Sequence, residues 1–241
     1  MKKILLILAV LLFVVSCSEE QEQVSELDKE IQMIKDNTKK PEPEIQKPQQ
    51  PRYTEGTDYV TLEVPYDTEN ASQVIIYEFF GYTCPHCFHF EPTMNEWLKK
   101  KPSVAKLIRV PLNFHPSWAV YQQGFLTAES MGVAEIAHNK LFSEIHENHR
   151  NFTDIEQLAE WYAENTGINK DEFLSTADSF ILDSKLRKAD NMGFRMQITG
   201  TPSVVVNGKY KVQNNSKDQR HTIGVINYLI GKETKEMGLI K

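Results

Sequence analysis

The 241-residue sequence contains only three cysteines, Cys17, Cys84 and Cys87, and has few positive charges relative to negative ones. It carries 27 Lys and Arg against 33 Asp and Glu, a formal net charge of −6. The first sixteen residues carry only Lys2 and Lys3, so without them the net charge is −8. Phosphate binding needs clustered Lys and Arg, so this balance argues against nucleic acid as the main partner.

The sequence also lacks an apolar run long enough to span a bilayer, which takes about 20 residues. The run ILLILAVLLFVV at residues 4–15 has twelve, and after the basic start MKK it is typical of a signal-peptide core. We predict a signal peptide at 1–16. Its end, VVSC at 14–17, resembles the lipobox of bacterial lipoproteins, which implies a lipid on Cys17 and a membrane anchor. Ser18 after it resembles lipoproteins sorted to the outer membrane. The alternative is ordinary cleavage nearby, with no role for Cys17.

Several motifs of common enzyme classes are missing. The sequence contains no P-loop, no dinucleotide-binding glycine pattern and no convincing Ser–His–Asp arrangement. Cys84, His86, Cys87 and His89 are crowded, and His115 follows the next predicted strand, so a metal site is an alternative. Structural zinc, however, commonly takes four ligands from two separated pairs, and no second Cys-x-x-Cys or His pair of that kind exists. We therefore predict no metal site.

Residues 17–52 form a predicted tether between the signal peptide and the folded part. They are rich in Glu, Gln, Lys and Pro, and the stretch at 41–51 (PEPEIQKPQQP) is typical of an extended polyproline-type spacer. Apolar residues at 24–34 have a coiled-coil spacing for less than two heptads. They indicate a marginal helix in the tether or, alternatively, a weak oligomerisation helix.

The folded part is predicted to run from residue 53 to 241 and to be α/β. A strand, a helix and a strand form one βαβ unit, helices fill about 117–196, and a β-hairpin and a last helix complete the chain. The predicted strands lie at 58–66, 72–82, 104–114 and from 202 to 212, where Asn207–Gly208 is a strong hairpin turn. Thr153 and Glu156 predict a capping box, Gly167 predicts the end of that helix, and Pro92 predicts a kink.

The stretch FFGYTCPHCFHFEP at 79–92 places Cys84 between a buried strand and a helix. A sulfur there meets unpaired backbone N–H groups and the positive end of the helix dipole, which lower the pKa of the thiol well below about 8.5. Cys87 follows one helical turn later, within reach of a disulfide. Pro85 suits the first helical turn and His86 adds positive charge. The pattern favours a redox pair with Cys84 as the exposed nucleophile and Cys87 as the resolving thiol, although an inert structural disulfide stays open.

EFFGYTCPHCFHFEP, together with the distant TGTPSVVVNGKY, resembles the DsbA-type thiol–disulfide oxidoreductases of bacterial envelopes. The resemblance covers roughly residues 53–232 and implies a thioredoxin-like fold with an inserted helical domain. It implies that Cys84 is the nucleophile, that Cys87 resolves, and that Pro202 is a cis-proline facing the disulfide and holding substrate. It implies no cofactor beyond the Cys84–Cys87 disulfide.

The resemblance also assigns a buried acid to Glu78 and its basic partner to Arg109. A carboxylate within IIYEFF is expected to have a raised pKa and to relay a proton to or from Cys87. The alternative for Glu78 is an edge strand facing water, and for Arg109 a surface charge. Familiar members have Lys at the second position, and Arg is harder to deprotonate. His138, His146 and His149 are expected to be ordinary surface histidines.

The resemblance implies an oxidase that introduces disulfides into unfolded or reduced exported proteins, recharged by a quinone-linked membrane partner. The location it implies is the bacterial envelope or periplasm. Thr201, before the proline, differs from the aliphatic residue of the best-known oxidase and resembles the isomerase and reductase branch. Its hydroxyl is a candidate for tuning the Cys84 sulfur. A reductase or isomerase is therefore the alternative function, and dimerisation through residues 24–34 would favour it.

Overall fold

The computed structural model describes residues 53–213 and 218–239, so the predicted signal peptide, the tether and Cys17 lie outside the described residues. A five-stranded sheet in the order β1-β5-β4-β2-β3 forms the centre of the described part. The strands are β1 Tyr59–Thr61, β2 Val74–Phe80, β3 Ala105–Pro111, β4 Ser203–Val206 and β5 Tyr210–Val212. β2 and β3 are parallel and the other neighbouring pairs are antiparallel.

Helix α1 (Pro85–Lys100) connects the parallel strands β2 and β3, as the predicted βαβ unit requires. The five helices between β3 and β4 form the predicted helical insertion, after a short 3₁₀ turn at Pro116–Trp118. They are α2 Ala119–Ser130, α3 Ala134–His146, α4 Ile155–Thr166, α5 Lys170–Ala177 and α6 Phe180–Arg195, and α7 Gln219–Glu236 follows the hairpin. The predicted thioredoxin-like fold with inserted helices is therefore confirmed.

Strand β2 lies inside the sheet, between β4 and β3, and all seven of its residues are buried. Its side chains belong to two hydrophobic clusters. Ile75, Tyr77 and Phe79 pack with the insertion, whereas Val74 and Ile76 pack with α1 and α7. This two-sided burial explains why the sequence of β2 is a continuous apolar run instead of an alternating one.

The ends of two predicted elements differ slightly in the structure. The predicted strand at 58–66 is only three residues long, and it does lie at the sheet edge. The predicted Thr153–Glu156 cap is wrong by one residue, because Asp154 caps α4 by accepting from the Gln157 backbone N–H at 2.9 Å. Asp caps a helix at least as well as Thr, so composition alone could not separate the two positions.

The hairpin turn has φ of 51° at Asn207 and 64° at Gly208, the left-handed pair that a tight hairpin needs. Helix α4 ends at Gly167, whose φ is 78°, as predicted. Helix α1 continues through Pro92 to Lys100. Across the part of the chain that the structure describes, no helix has the length and apolar character needed to cross a membrane.

Candidate active site

Cys84 is the residue at which α1 begins. Its backbone is extended (φ −83°, ψ 113°), and its carbonyl accepts from the N–H groups of Cys87 and Phe88 at 3.1 Å each. Pro85 occupies the first helical position, where its missing N–H costs nothing. Cys84 follows the buried strand β2 and lies at the N-terminus of a sixteen-residue helix, where backbone N–H groups are unpaired.

Both cysteines are free and largely covered. Cys87 is 1% exposed, as expected for a thiol one turn inside a helix. Cys84 is 7% exposed, so the expectation of an exposed sulfur is wrong in degree. The residues around it cover most of its surface, and one of its neighbours, the loop at residues 200–202, is distant in sequence.

The two thiols have opposite pKa shifts. A hydrogen bond from Cys87, a further one from the Thr201 side chain and the backbone N–H groups of Cys87 and His86 lower the pKa of Cys84 to about 5, against an opposing effect of burial. Burial, then the hydrogen bond and charge of Cys84, raise the pKa of Cys87 far above its ordinary value. At neutral pH the reduced pair therefore holds a thiolate on Cys84 and a proton on Cys87.

The loop before β4 closes over the Cys84 sulfur. The Cys84 Sγ lies 3.4 Å from the Thr201 carbonyl oxygen, across 117 residues of sequence. The Thr201–Pro202 peptide is cis, and Ser203 Oγ donates to the Gly200 carbonyl at 2.7 Å within the same loop. The structure thus brings together Cys84 and the two loop residues singled out in the sequence, Thr201 and Pro202.

The histidines around the pair do not converge on the sulfurs. His86 and His89 are exposed, and His115 is an exposed residue that caps the 3₁₀ turn by accepting from the Ser117 N–H at 3.2 Å. In residues 53–213 and 218–239, no three His, Cys, Asp or Glu side chains are grouped so that they could hold a metal ion.

Glu78 and Arg109 form a buried ion pair. Glu78 is 1% exposed on β2, which is not an edge strand, so the alternative of a water-facing Glu78 is wrong. Arg109 is its register partner on β3, and the Arg109 Nε lies 3.2 Å from Glu78 Oε2. Burial, followed by the charge of Glu91, raises the pKa of Glu78 despite the guanidinium.

Sequence reasoning missed three further members of this charged cluster. Glu91, one turn after Cys87 on α1, is 3% exposed and lies 3.4 Å from the Arg109 guanidinium. Glu135 on α3 reaches the same guanidinium at 2.5 Å while its side chain stays 70% exposed. The signal for Glu91 was its i+4 spacing from Cys87 within an otherwise apolar helix face.

His138 is the third missed member, and its expected place on the surface is wrong. It is 1% exposed, with Nδ1 2.9 Å from the Tyr82 hydroxyl and Nε2 3.1 Å from Glu91 Oε1. His146 is half-buried, with Nε2 2.7 Å from the Tyr82 carbonyl, whereas His149 is exposed as expected. The helix periodicity of α3 puts His138 and His146 on its inner face, a pattern that composition alone does not reveal.

Comparison with known proteins agrees with this geometry. The family model described as "DSBA-like thioredoxin domain" matches residues 102–222. The thiol:disulfide interchange protein DsbA of Pseudomonas aeruginosa PAO1 is 39% identical over 182 residues, 75% of this chain and 86% of that protein. This chain belongs to the DsbA family of thiol–disulfide oxidoreductases.

Other DsbA proteins are similar over a comparable share of the chain. That of Azotobacter vinelandii is 37% identical over 179 residues, which is 74% of this chain and 83% of that protein. The crystal structure of Pseudomonas aeruginosa DsbA superposes with a TM-score of 0.71 at 38% identity, covering 76% of this chain and 96% of that one. The DsbA of Xylella fastidiosa gives 0.71 at 28% identity, covering 76% and 98%. The DsbA-like fold thus extends well beyond the matched family model.

Proposed function

We propose that the Cys84–Cys87 pair is the redox centre of this DsbA-family member and that it donates disulfides to reduced exported proteins. The observation that carries the proposal is the opposed ionisation of the pair. The pKa of Cys84 falls to about 5 while that of Cys87 is raised. A thiolate on the first cysteine and a protonated second cysteine describe a reduced pair that is stable and whose disulfide is readily given away.

The exchange proceeds in two steps that conserve electrons. A substrate thiolate attacks Cys84 of the Cys84–Cys87 disulfide, a mixed disulfide forms, and Cys87 leaves and takes up a proton. A second substrate thiolate then attacks the substrate sulfur of the mixed disulfide, and Cys84 leaves as a thiolate. The substrate dithiol loses two electrons to the enzyme disulfide, and one of its two protons ends on Cys87 at neutral pH.

The size of the effect follows from the ionisation of Cys84. With a pKa of about 5 instead of the ordinary 9.0, the thiolate at pH 7 favours the reduced form about a hundredfold. For a two-electron couple, that factor raises the reduction potential by about 60 mV. This direction supports the oxidase.

We propose further roles for the neighbouring residues. Glu78 and Glu91 exchange the proton of Cys87, and Arg109 holds them without itself giving up a proton, since a guanidinium stays charged. Thr201 and Pro202 hold an extended substrate segment beside Cys84, and Pro85 and His86 tune the pair. We propose that this segment is recognised mainly through its backbone and apolar groups, and we therefore expect many client proteins.

We also propose a place in the cell. The lipobox-like VVSC ending at Cys17 supports a lipid anchor, and the tether at 17–52 supports a domain held away from that membrane. The compartment is the bacterial envelope, at the periplasmic face of the outer membrane. A quinone-linked membrane protein reoxidises the pair.

The equilibrium of the pair with glutathione tests the function. The oxidase requires a pair that is mostly reduced in a mixture of reduced and oxidised glutathione, with a potential above that of glutathione. A potential far below the glutathione couple would refute it and favour a reductase or isomerase, the alternative that Thr201 beside the sulfur supports. The variant Cys84→Ser is the control, because it removes the pair without changing the fold around α1.

A further inference from the structure

His138 is a buried histidine that the exchange chemistry does not use. It lies on α3 among Phe80, Phe125 and Phe142, with ring centroids 5.0, 5.8 and 5.1 Å away. Burial lowers the pKa of His138 well below its ordinary value, so the imidazole is neutral. A neutral imidazole has one N–H and one acceptor nitrogen, and its two neighbours decide which nitrogen carries the proton.

Each ring nitrogen of His138 faces one buried polar group. Nδ1 lies 2.9 Å from the Tyr82 hydroxyl and Nε2 lies 3.1 Å from Glu91 Oε1. Among the described residues, His138 Nε2 and Glu91 Oε1 have no aligned hydrogen-bond partner, and both atoms are fully buried. Two such atoms at this separation are satisfied together only when a proton lies between them.

The remaining contacts decide on which atom that proton is held. If the Tyr82 hydroxyl donates to Nδ1, the N–H is on Nε2 and Glu91 is an ionised acceptor. The reverse chain runs from a protonated Glu91 through His138 to the Tyr82 hydroxyl, and the buried Tyr162 hydroxyl has no aligned partner among the described residues that would extend it. The Arg109 guanidinium, 3.4 Å from the second oxygen of Glu91, favours the first direction because it stabilises a carboxylate.

We propose that His138, oriented by Tyr82, is a positioning residue that keeps Glu91 ionised and thereby leaves the proton of the buried carboxyl pair on Glu78. Burial raises the pKa of both carboxyls, to about 8 for Glu78 and to about 7 for Glu91, so Glu91 is the first of the two to ionise. The ionisable groups that face this cluster come from every element packed around it. They are Glu78 on β2, Glu91 on α1, Arg109 on β3, Glu135 on α3, Tyr82 in the loop before α1 and Tyr162 on α4.

The inference rests on the proposed function only for its consequence. Cys87 leaves as a thiolate one helical turn before Glu91. An ionised Glu91 opposes a second negative charge on Cys87, and a proton on Glu78 is available to neutralise it. His138 would therefore accelerate protonation of Cys87 without touching either sulfur.

Carbon-13 NMR of the full-length protein with labelled Glu carboxyl carbons tests the proton position. The Glu78 and Glu91 signals are assigned from Glu78→Gln and Glu91→Gln. His138→Leu removes the N–H and should raise the titration midpoint of Glu91 by about one pH unit or more. His138→Gln keeps an N–H at a similar distance from Glu91, so the titration midpoint of Glu91 should stay close to that of the wild type.

Two further variants make the result decisive. Tyr82→Phe frees the imidazole from its hydroxyl partner and should move Glu91 in the same direction as His138→Leu, while the exposed control His149→Gln should leave it unchanged. The inference is overturned if neither Tyr82→Phe nor a folded His138→Leu shifts the titration midpoint of Glu91. In that case Glu91 would titrate alike in the wild type, in His138→Gln and in both of these variants. Should His138→Leu fail to fold, Tyr82→Phe, which keeps its ring, decides alone by whether Glu91 shifts. Thiol–disulfide exchange is measured separately, so an inactive wild type would refute the proposed function and leave the carboxyl result standing.

Discussion

The hydroxyl of Thr201 is predicted to help set the pKa of Cys84, and its removal tests that role directly. Thr201→Val removes the side-chain hydrogen bond to the sulfur but keeps the branched shape and the backbone carbonyl 3.4 Å from Sγ. A hydrogen bond to a charged group contributes about 1.5–3 kcal/mol, and 1.36 kcal/mol corresponds to one pKa unit. Taking the lower value, we expect the pKa of Cys84 to rise from about 5 to about 6.

This shift has two measurable consequences. At pH 5 the thiolate fraction of Cys84 falls from about one half to about one tenth, so alkylation of the reduced protein slows about fivefold. At pH 7 the advantage of the reduced form falls about tenfold, which lowers the reduction potential by about 30 mV if the oxidised form is unaffected. Thiolate absorbance across pH 3–9 and the glutathione equilibrium measure the two effects independently.

The sign of the pH dependence can be checked directly. Because the pKa of Cys84 is depressed in the folded protein, the thiolate stabilises the reduced form above the ordinary value of 9.0 and loses that contribution as the pH falls through about 5. Thr201→Val moves the lower limit up to about 6. The exposed Thr199→Val is the matched control. An alkylation midpoint near 8–9 in the wild type, or one unmoved by Thr201→Val, would show that the loop does not tune the sulfur.

Other predictions follow from the same structure. Cys87→Ser should accumulate mixed disulfides when its Cys84 thiolate attacks the disulfide of an oxidised client protein and releases one of that protein's thiolates, because no Cys87 thiol remains to resolve the product. The mixed disulfides are visible on non-reducing gels, and their absence would contradict the assigned order of the pair. Arg109→Met should lower the free energy of unfolding by about 3 kcal/mol in urea melts, since it leaves buried carboxylates unpaired. The loss should be smaller at pH 5, because the buried carboxyls can then stay protonated, than at pH 8, because they must then ionise. Gly208→Ala should cost about 1–3 kcal/mol, because φ is 64° and a Cβ would clash with the Tyr66 carbonyl, whereas Gly231→Ala, which meets nothing within 4 Å, should be neutral or slightly stabilising.

The fold was accessible from the sequence because its signals are local and strong. The apolar run of β2, the Asn207–Gly208 turn and the Gly167 helix end each depend on backbone preferences within a few residues. One error fell where neighbouring residues have similar preferences, at Asp154 and Thr153. The short β1 was overestimated because an edge strand ends where its partner ends, and β5 has only three residues.

The buried charges show where local reasoning fails. Glu91 shares the apolar face of α1 with Cys87, but nothing in its sequence neighbours says that α3 and β3 supply its charged partners. His138 was expected on the surface because histidine is often exposed, although its spacing from Leu141 and Phe142 puts it on the inner face of α3. The contacts that bury both residues join four elements that are far apart along the chain, so no window of sequence contains them.

The sequence by itself determined the βαβ unit, the helical insertion and the start of a helix at Cys84, because each depends on nearby residues. It also pointed to Thr201 and Pro202 through a motif. Only the tertiary structure decided how far the sulfur of Cys84 is covered, which carboxylates surround Arg109, and that His138 lies at the centre of that cluster. The physical reason is that burial and hydrogen bonding set the pKa of a group, and both depend on elements brought together only by packing.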